Sequence, residues 1–287
     1  MFPMISFLII EDLVVVNNSI LIIGHPKSGK TVFIAQFFNR VRKRKSSITL
    51  AKVPENIKPI KDAIDSLASG EEPRPTPADE NVELVLPINM DGENFDLIYP
   101  DYGGEQVNDL TNLMEIDDNW KKLVNGSDRW MLFIRFSNIT SEYDLSISSY
   151  EKIETNQSKD FLSPGLSDQS KFIELLQVLL YIKGKGVKHP IELPKLSIVL
   201  SCWDELNANK KPIKILQERL PMLFHFVETV WKKEAFEILG LSAQEFPLDN
   251  QEAKDKYQDE LPENFGYMID QKGVKDKDIT KLVKIIL

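Results

Sequence analysis

Eight consecutive residues, Gly24-His25-Pro26-Lys27-Ser28-Gly29-Lys30-Thr31, restrict the folds open to this chain more than any other stretch. They follow the apolar run Ile20-Leu21-Ile22-Ile23 and precede Val32-Phe33-Ile34-Ala35-Gln36-Phe37-Phe38. Strand, glycine loop and helix in that order, with the spacing G-x-x-x-x-G-K-T, form a P-loop, a cradle for phosphate. The chemistry dictates the residue types. Gly24 and Gly29 allow backbone angles that a Cβ would block, so successive amide N–H groups can converge on one anion. The helix beginning near Lys30 adds its positive end at the same point. Lys30 brings a mobile charge for the outer phosphates, and the Thr31 hydroxyl can ligate magnesium. Gly24, Lys27, Ser28, Gly29, Lys30, Thr31 and Val32 are therefore the candidate phosphate-binding residues.

The rest of the chain supplies a frame for that loop. Short apolar strands alternate with amphipathic helices, which predicts an α/β fold: a mainly parallel sheet covered on both faces, with one antiparallel hairpin strand. Strands are expected over residues 5–10, 13–16, 48–53, 82–88, 95–99, 130–136, 196–200 and 235–241. Asp91-Gly92 marks the hairpin turn. Helices are expected over 56–67, over a segment burying Leu110, Leu113, Met114, Trp120 and Leu123, from the cap Ser167-Asp168 onward, over 213–231 with a break at Pro221, and over 279–287. The chain reads as a single domain, 1–287, with a strand extension at 1–18, an insertion at 46–70 and a polar insertion at 138–166.

Composition narrows the functional classes. A hydrophobic share of 42% and 28% charged residues suit an ordinary globular protein. The net charge of −9 argues against a nucleic-acid or anionic-membrane surface spread over the molecule. The apolar start meets Glu11-Asp12 too soon to span a bilayer, so no stable membrane insertion is expected. The single cysteine, Cys202, fits a reducing, cytoplasmic compartment, and three scattered histidines make no zinc-type cluster. The basic run from Arg40 to Lys45 reads as cations compensating a helix C-terminus, ahead of an electrostatic docking patch.

In sheets of this kind ligands sit at the carboxyl ends of the strands, where the remaining candidates fall. Asp101 precedes Gly104 as D-x-x-G; the carboxylate can bind magnesium and the glycine N–H can meet a γ-phosphate. Thr76, in a proline-rich loop, offers a second hydroxyl to the metal, unless it is simply a threonine in a turn. Arg74 reads as solvated. Asp204 is the candidate base reader, because a carboxylate accepts from guanine's ring N–H and exocyclic amine together, a donor pair that adenine lacks. Ser242 and Ala243 can bring a backbone N–H to the guanine oxygen.

With GHPKSGKT, Thr76, DYGG, SCWD and SAQ in this order, the chain resembles a small GTPase of the TRAFAC class, the translation-factor and Ras-like branch of P-loop proteins. The longer frames PDYGGE, LSCWDEL and GLSAQ are similar to those of bacterial double-GTPases, the DO-GTPase families proposed to regulate effectors in conflict and anti-phage systems. The resemblance implies a P-loop NTPase three-layer α/β/α sandwich, GTP and GDP as ligands, Mg2+ as cofactor, GTP hydrolysis and a protein effector or activator. It also directs attention to Glu105 and Gln106 as candidates for orienting water, in a catalytic set with Lys30 and Gly104. The chain departs from the family pattern N/T-K-x-D at Ser201 and Cys202, leaving Trp203 as a surface for the base, and Gln244 stands where lysine is common. A carboxylate at Glu105 beside a phosphate is awkward and implies slow intrinsic hydrolysis. Two other readings stay open: a P-loop ATPase or kinase in which Asp204 is structural, and a nucleotide-binding scaffold with little turnover.

Overall fold

The computed structural model describes residues 18–74, 82–101, 117–139, 167–185 and 190–287. The expected strands at 5–10 and 13–16, Thr76, the segment Tyr102 to Ile116 with Gly104, Glu105 and Gln106, and most of the polar insertion lie outside them.

Nine strands form one sheet in the order β2-β3-β4-β1-β5-β6-β7-β8-β9. They are β1 (Ser19–Ile23), β2 (Thr49–Leu50), β3 (Val82–Met90), β4 (Glu93–Asp101), β5 (Arg129–Arg135), β6 (Lys195–Ser201), β7 (Phe236–Ser242), β8 (Tyr267–Ile269) and β9 (Lys275–Asp276). The central strands β4, β1, β5, β6 and β7 are mutually parallel. The P-loop strand β1 lies between β4 and β5, so its carboxyl end opens in the middle of the sheet, where connections leave towards both sides.

The expected hairpin strand is β3, paired antiparallel to β4 across Asp91-Gly92. Antiparallel pairing extends further, to β2 on one edge and to β8 and β9 on the other. The strand expected over 48–53 shrinks to Thr49–Leu50, and β8, β9 and the helix between β7 and β8 carry too little apolar pattern to be foreseen.

Eight α-helices accompany the sheet among the described residues: α1 (Lys30–Arg42), α2 (Lys58–Ala68), α3 (Asp118–Asn125), α4 (Asp168–Ile182), α5 (Pro212–Arg219), α6 (Pro221–Val230), α7 (Gln251–Glu260) and α8 (Lys281–Ile286). Pro221 splits the 213–231 segment as expected, since proline cannot donate to the preceding turn. Ser167 caps α4, accepting from the Ser170 N–H.

Strand side chains alternate between two cores with period two. Leu21, Ile23, Trp130, Leu132, Ile134, Ile198 and Leu200 face α3 to α6. Ile20, Ile22, Met131, Phe133, Val199 and Leu239 face α1, α2 and α8. Each such side chain, wholly withdrawn from water, contributes about 1.5–3 kcal/mol, and the continuous apolar runs are what burial on both faces demands.

The basic run places Arg40 and Arg42 in the last turn of α1 and also ties the helix to distant chain. Arg40 is buried, and its guanidinium donates to the carbonyls of Lys277 and Phe265. Lys43 and Lys45 reach the buried Glu263 carboxylate at 2.7 and 3.7 Å. Higher in α1, the Gln36 amide donates to the Pro262 carbonyl at 2.9 Å. These cations bind the far end of the P-loop helix to the chain that follows β7.

Candidate functional site

The loop leaves β1 at Gly24, whose φ of 149° and surroundings both exclude a side chain: a Cβ would lie 2.7 Å from the Phe133 carbonyl oxygen. Lys27 (φ 58°) and Gly29 (φ 80°) then take left-handed conformations. Such residues turn neighbouring amides inward, forming an anion nest. The Lys30 ammonium folds over the loop, donating to the Gly24 and His25 carbonyls at 2.8 Å each and to Ser28 Oγ at 3.1 Å.

Helix α1 begins with no side-chain cap and no acidic residue in its first turn. The positive end of α1 and the Lys30 charge lie together at the loop, which suits an anion there. In the first turn, the Thr31 hydroxyl lies 2.8 Å from the Tyr99 hydroxyl. No cluster of three or more His, Cys, Asp or Glu that could hold a metal exists among the described residues.

The second half of the site is the turn after β6. Ser201 Oγ donates to the Ile134 carbonyl at 3.1 Å, tying the strand end to β5. Cys202 is left-handed (φ 50°, ψ 47°), and its Sγ would lie 3.7 Å from a Cβ placed on Gly29, so this turn rests directly against the P-loop. Burial pushes the Cys202 thiol up to about 12, leaving it neutral. Residues Trp203–Leu206 form a single 3-10 turn.

Trp203 does not offer its ring to a base. It is 4% exposed, and its indole lies so close over Gly240 of β7 that a Cβ there would sit 2.5 Å from Cε3. The apolar core, which gains more from a tryptophan than solvent does, draws the ring under the turn.

Asp204 follows that anchor and is half-buried. Desolvation raises its carboxyl above the ordinary value, against hydrogen bonds from Ser242 and from its own backbone N–H that hold it down. Ser242 is fully buried and also accepts from the Glu245 N–H at 3.0 Å. Glu245 in turn accepts from the Gly266 N–H at 3.0 Å. The Ser242 hydroxyl thus lies beside Asp204, where it favours the ionised carboxyl. Gln244 turns back onto its own loop, donating to the Phe246 carbonyl at 3.1 Å.

Two polar residues at the end of β5 join the halves. Arg135 donates from both Nε and Nη2 to the Glu205 carboxylate and from Nη1 to the Lys27 carbonyl at 3.4 Å. Asn138 donates to the same carbonyl at 3.2 Å. Burial works to raise the Glu205 carboxyl, but hydrogen bonds from Arg135 and Ser137 outweigh it and leave it low; the same bond holds the Arg135 guanidinium up. Neither Arg135 nor Tyr99 was foreseen. The available signal was a cation closing an otherwise apolar strand, Trp130-Met131-Leu132-Phe133-Ile134-Arg135.

A phosphate cradle in mid-sheet, with a carboxylate turn from the second strand along packed against it, defines a P-loop nucleotide-binding protein. The chain belongs to the Double-GTPase 1 family, whose family model matches residues 21–286, and is accordingly a GTP-binding GTPase. Among solved structures it is similar to the S. cerevisiae Ski7 GTPase-like domain bound to GTP, at 15% identity and a TM-score of 0.43, over 79% of this chain and 43% of that one. The same domain bound to GDP and inorganic phosphate gives 16%, 0.41, 79% and 43%. Methanosarcina barkeri Roco2 RocCORdC bound to GDP gives 12% identity, a TM-score of 0.28, and coverage of 84% and 46%. The chain therefore spans less than half the length of these structures. No curated protein matches the sequence. No helix among the described residues is long and apolar enough to cross a membrane.

Proposed function

We propose that this GTPase is a cytoplasmic switch that regulates a partner protein, in the setting of prokaryotic defence that its resemblance to conflict-system GTPases suggests. The observation that carries the choice of base is the seating of Asp204: a half-buried carboxylate beside the buried Ser242, on a turn resting against the P-loop. Such an acceptor pair favours guanine, and the backbone at Ser242 and Ala243 is the proposed partner of the guanine oxygen. Gly24, Lys27, Ser28, Gly29 and the first turn of α1 through Val32 are the proposed phosphate ligands, with Lys30 stabilising charge on the outer phosphates.

The oxygen donors suit a hard divalent ion. Thr31, its hydroxyl aligned by Tyr99, Asp101 at the end of β4 and Thr76 are the proposed magnesium ligands, alongside phosphate oxygens. When bound, magnesium would supply neutralisation of phosphate charge. Gly104 would donate its N–H to the γ-phosphate, and Glu105 or Gln106 would orient water. Repulsion between the Glu105 carboxylate and the phosphate would keep unassisted turnover slow, so that a partner sets the lifetime of the GTP form.

Calorimetric titration with Mg-GTP, Mg-ATP and Mg-XTP tests the base assignment. The expected order is GTP first, with Asp204→Asn shifting preference to the xanthine nucleotide. Equal affinity for ATP and GTP would sink the guanine assignment in favour of an ATPase or kinase. Limited proteolysis of GTP-loaded and GDP-loaded protein tests the switch, and indistinguishable patterns would argue for a static scaffold.

A further inference from the structure

We propose that Arg135 is a specificity-positioning residue: its guanidinium locks the turn carrying Asp204 to the P-loop, so that base and phosphate are read by one rigid unit. The proposal rests on Asp204 as base reader and concerns how that reader is held.

The turn has few internal constraints. Residues Trp203–Leu206 lie between two left-handed non-glycine residues, Cys202 (φ 50°) and Asn207 (φ 45°), a costly backbone conformation that the local bond from the Glu205 N–H to the Cys202 carbonyl, 3.0 Å, offsets in part. It must be held from outside. Trp203 anchors it from below, against Gly240 of β7, and Ser242 of the same strand lies beside Asp204. On the side facing the P-loop, the position two residues before Asp204, where the family pattern has a lysine, is the neutral Cys202.

Arg135 supplies a cation there from the neighbouring strand. β5 and β6 run parallel with Arg135 opposite Ser201, which sets the guanidinium beside the turn. A planar fork suits this position because its donors point in different directions. Two meet the Glu205 carboxylate, adjacent to Asp204, and a third meets the Lys27 carbonyl in the nest. Asn138 repeats the contact to Lys27.

Most isolated surface ion pairs contribute little. This one differs in geometry: the pair is bidentate, both side chains are 32% exposed, and the cation continues to a second segment of the site. A lysine could keep the charge but could not reach both partners at once.

The test compares GTP with inorganic tripolyphosphate, each with magnesium, by calorimetric titration of the full chain. Arg135→Met should weaken GTP by about tenfold while leaving tripolyphosphate within twofold. Arg135→Lys should fall between, and Glu205→Gln should resemble Arg135→Met. In an Asp204→Asn background the Arg135→Met effect on GTP should vanish, because there is no reader left to position. Equal losses for both ligands, no loss for either, or an unchanged effect in the Asp204→Asn background would overturn the proposal. If Arg135→Met does not fold, Arg135→Lys and Glu205→Gln carry the same comparison. Failure of Asp204 as base reader has a separate signature: Asp204→Asn alone would leave the GTP-to-XTP ratio unchanged.

Discussion

Replacing Gly240 by alanine probes how the base-reading turn is anchored. The added Cβ would lie 2.5, 2.7 and 3.0 Å from Cε3, Cδ2 and Cζ3 of Trp203. Carbon atoms prefer about 3.5–4.0 Å, so the ring must retreat by roughly 1 Å. It is buried in the core on the α4 to α6 face, where little free volume exists. Overpacking of this kind costs about 1–3 kcal/mol, or on the order of 2–10 °C in Tm for a chain of this size. The ring's movement is transmitted to Asp204, the next residue. Losing one charge-assisted hydrogen bond to the base would weaken GTP by about tenfold or more. Calorimetry measures both quantities. The control is the same substitution in a Trp203→Leu background, where the smaller side chain removes the clash and the cost of Gly240→Ala should fall by more than half. A Tm within about 1 °C of the parent, or a cost unchanged without the indole, would refute the steric coupling.

Three further outcomes follow from the same geometry. Burial raises the Asp204 carboxyl, so folding favours its neutral form; its share of stability is full at low pH and is lost as pH rises through the raised value. Asp204→Asn should therefore melt no lower than the parent at neutral pH, while the parent's GTP affinity, which needs the ionised form, should fall on acidification before ordinary carboxylates titrate. Arg40→Met leaves the buried Phe265 carbonyl and the partly buried Lys277 carbonyl without their donor and should cost roughly 3 kcal/mol, read as a lower urea midpoint. Gly24→Ala drives a Cβ against the Phe133 carbonyl at 2.7 Å, and should abolish calorimetric GTP binding even where circular dichroism shows a folded chain.

The P-loop was legible because phosphate chemistry dictates glycine, lysine and threonine at given positions, whatever the surrounding fold. The place of Asp204 just past a strand end was legible because the apolar run of that strand is unambiguous. Trp203 misled because a tryptophan in a loop suggests a stacking surface. The corrective signal lay in Gly240, a glycine inside the strand Ile238-Leu239-Gly240-Leu241, which marks close approach of another group. Arg40 was read only as part of a run compensating a helix C-terminus, whereas its partners are backbone carbonyls more than 200 residues away. Helix α7 was missed because Tyr257 is its one buried residue, too little to create a periodic pattern.

The sheet ends on both sides in strands of two residues, β2 and β9, among the described residues. A strand that short presents few unpaired amides, and Lys275-Asp276 places opposite charges along one of them. Lateral growth into a shared sheet, the route of strand-swapped dimers and fibrils, thus finds little template on β2 or β9 themselves; among the described residues the longer uncovered edge is that of β3, which β2 pairs only at Ile88 and Asn89.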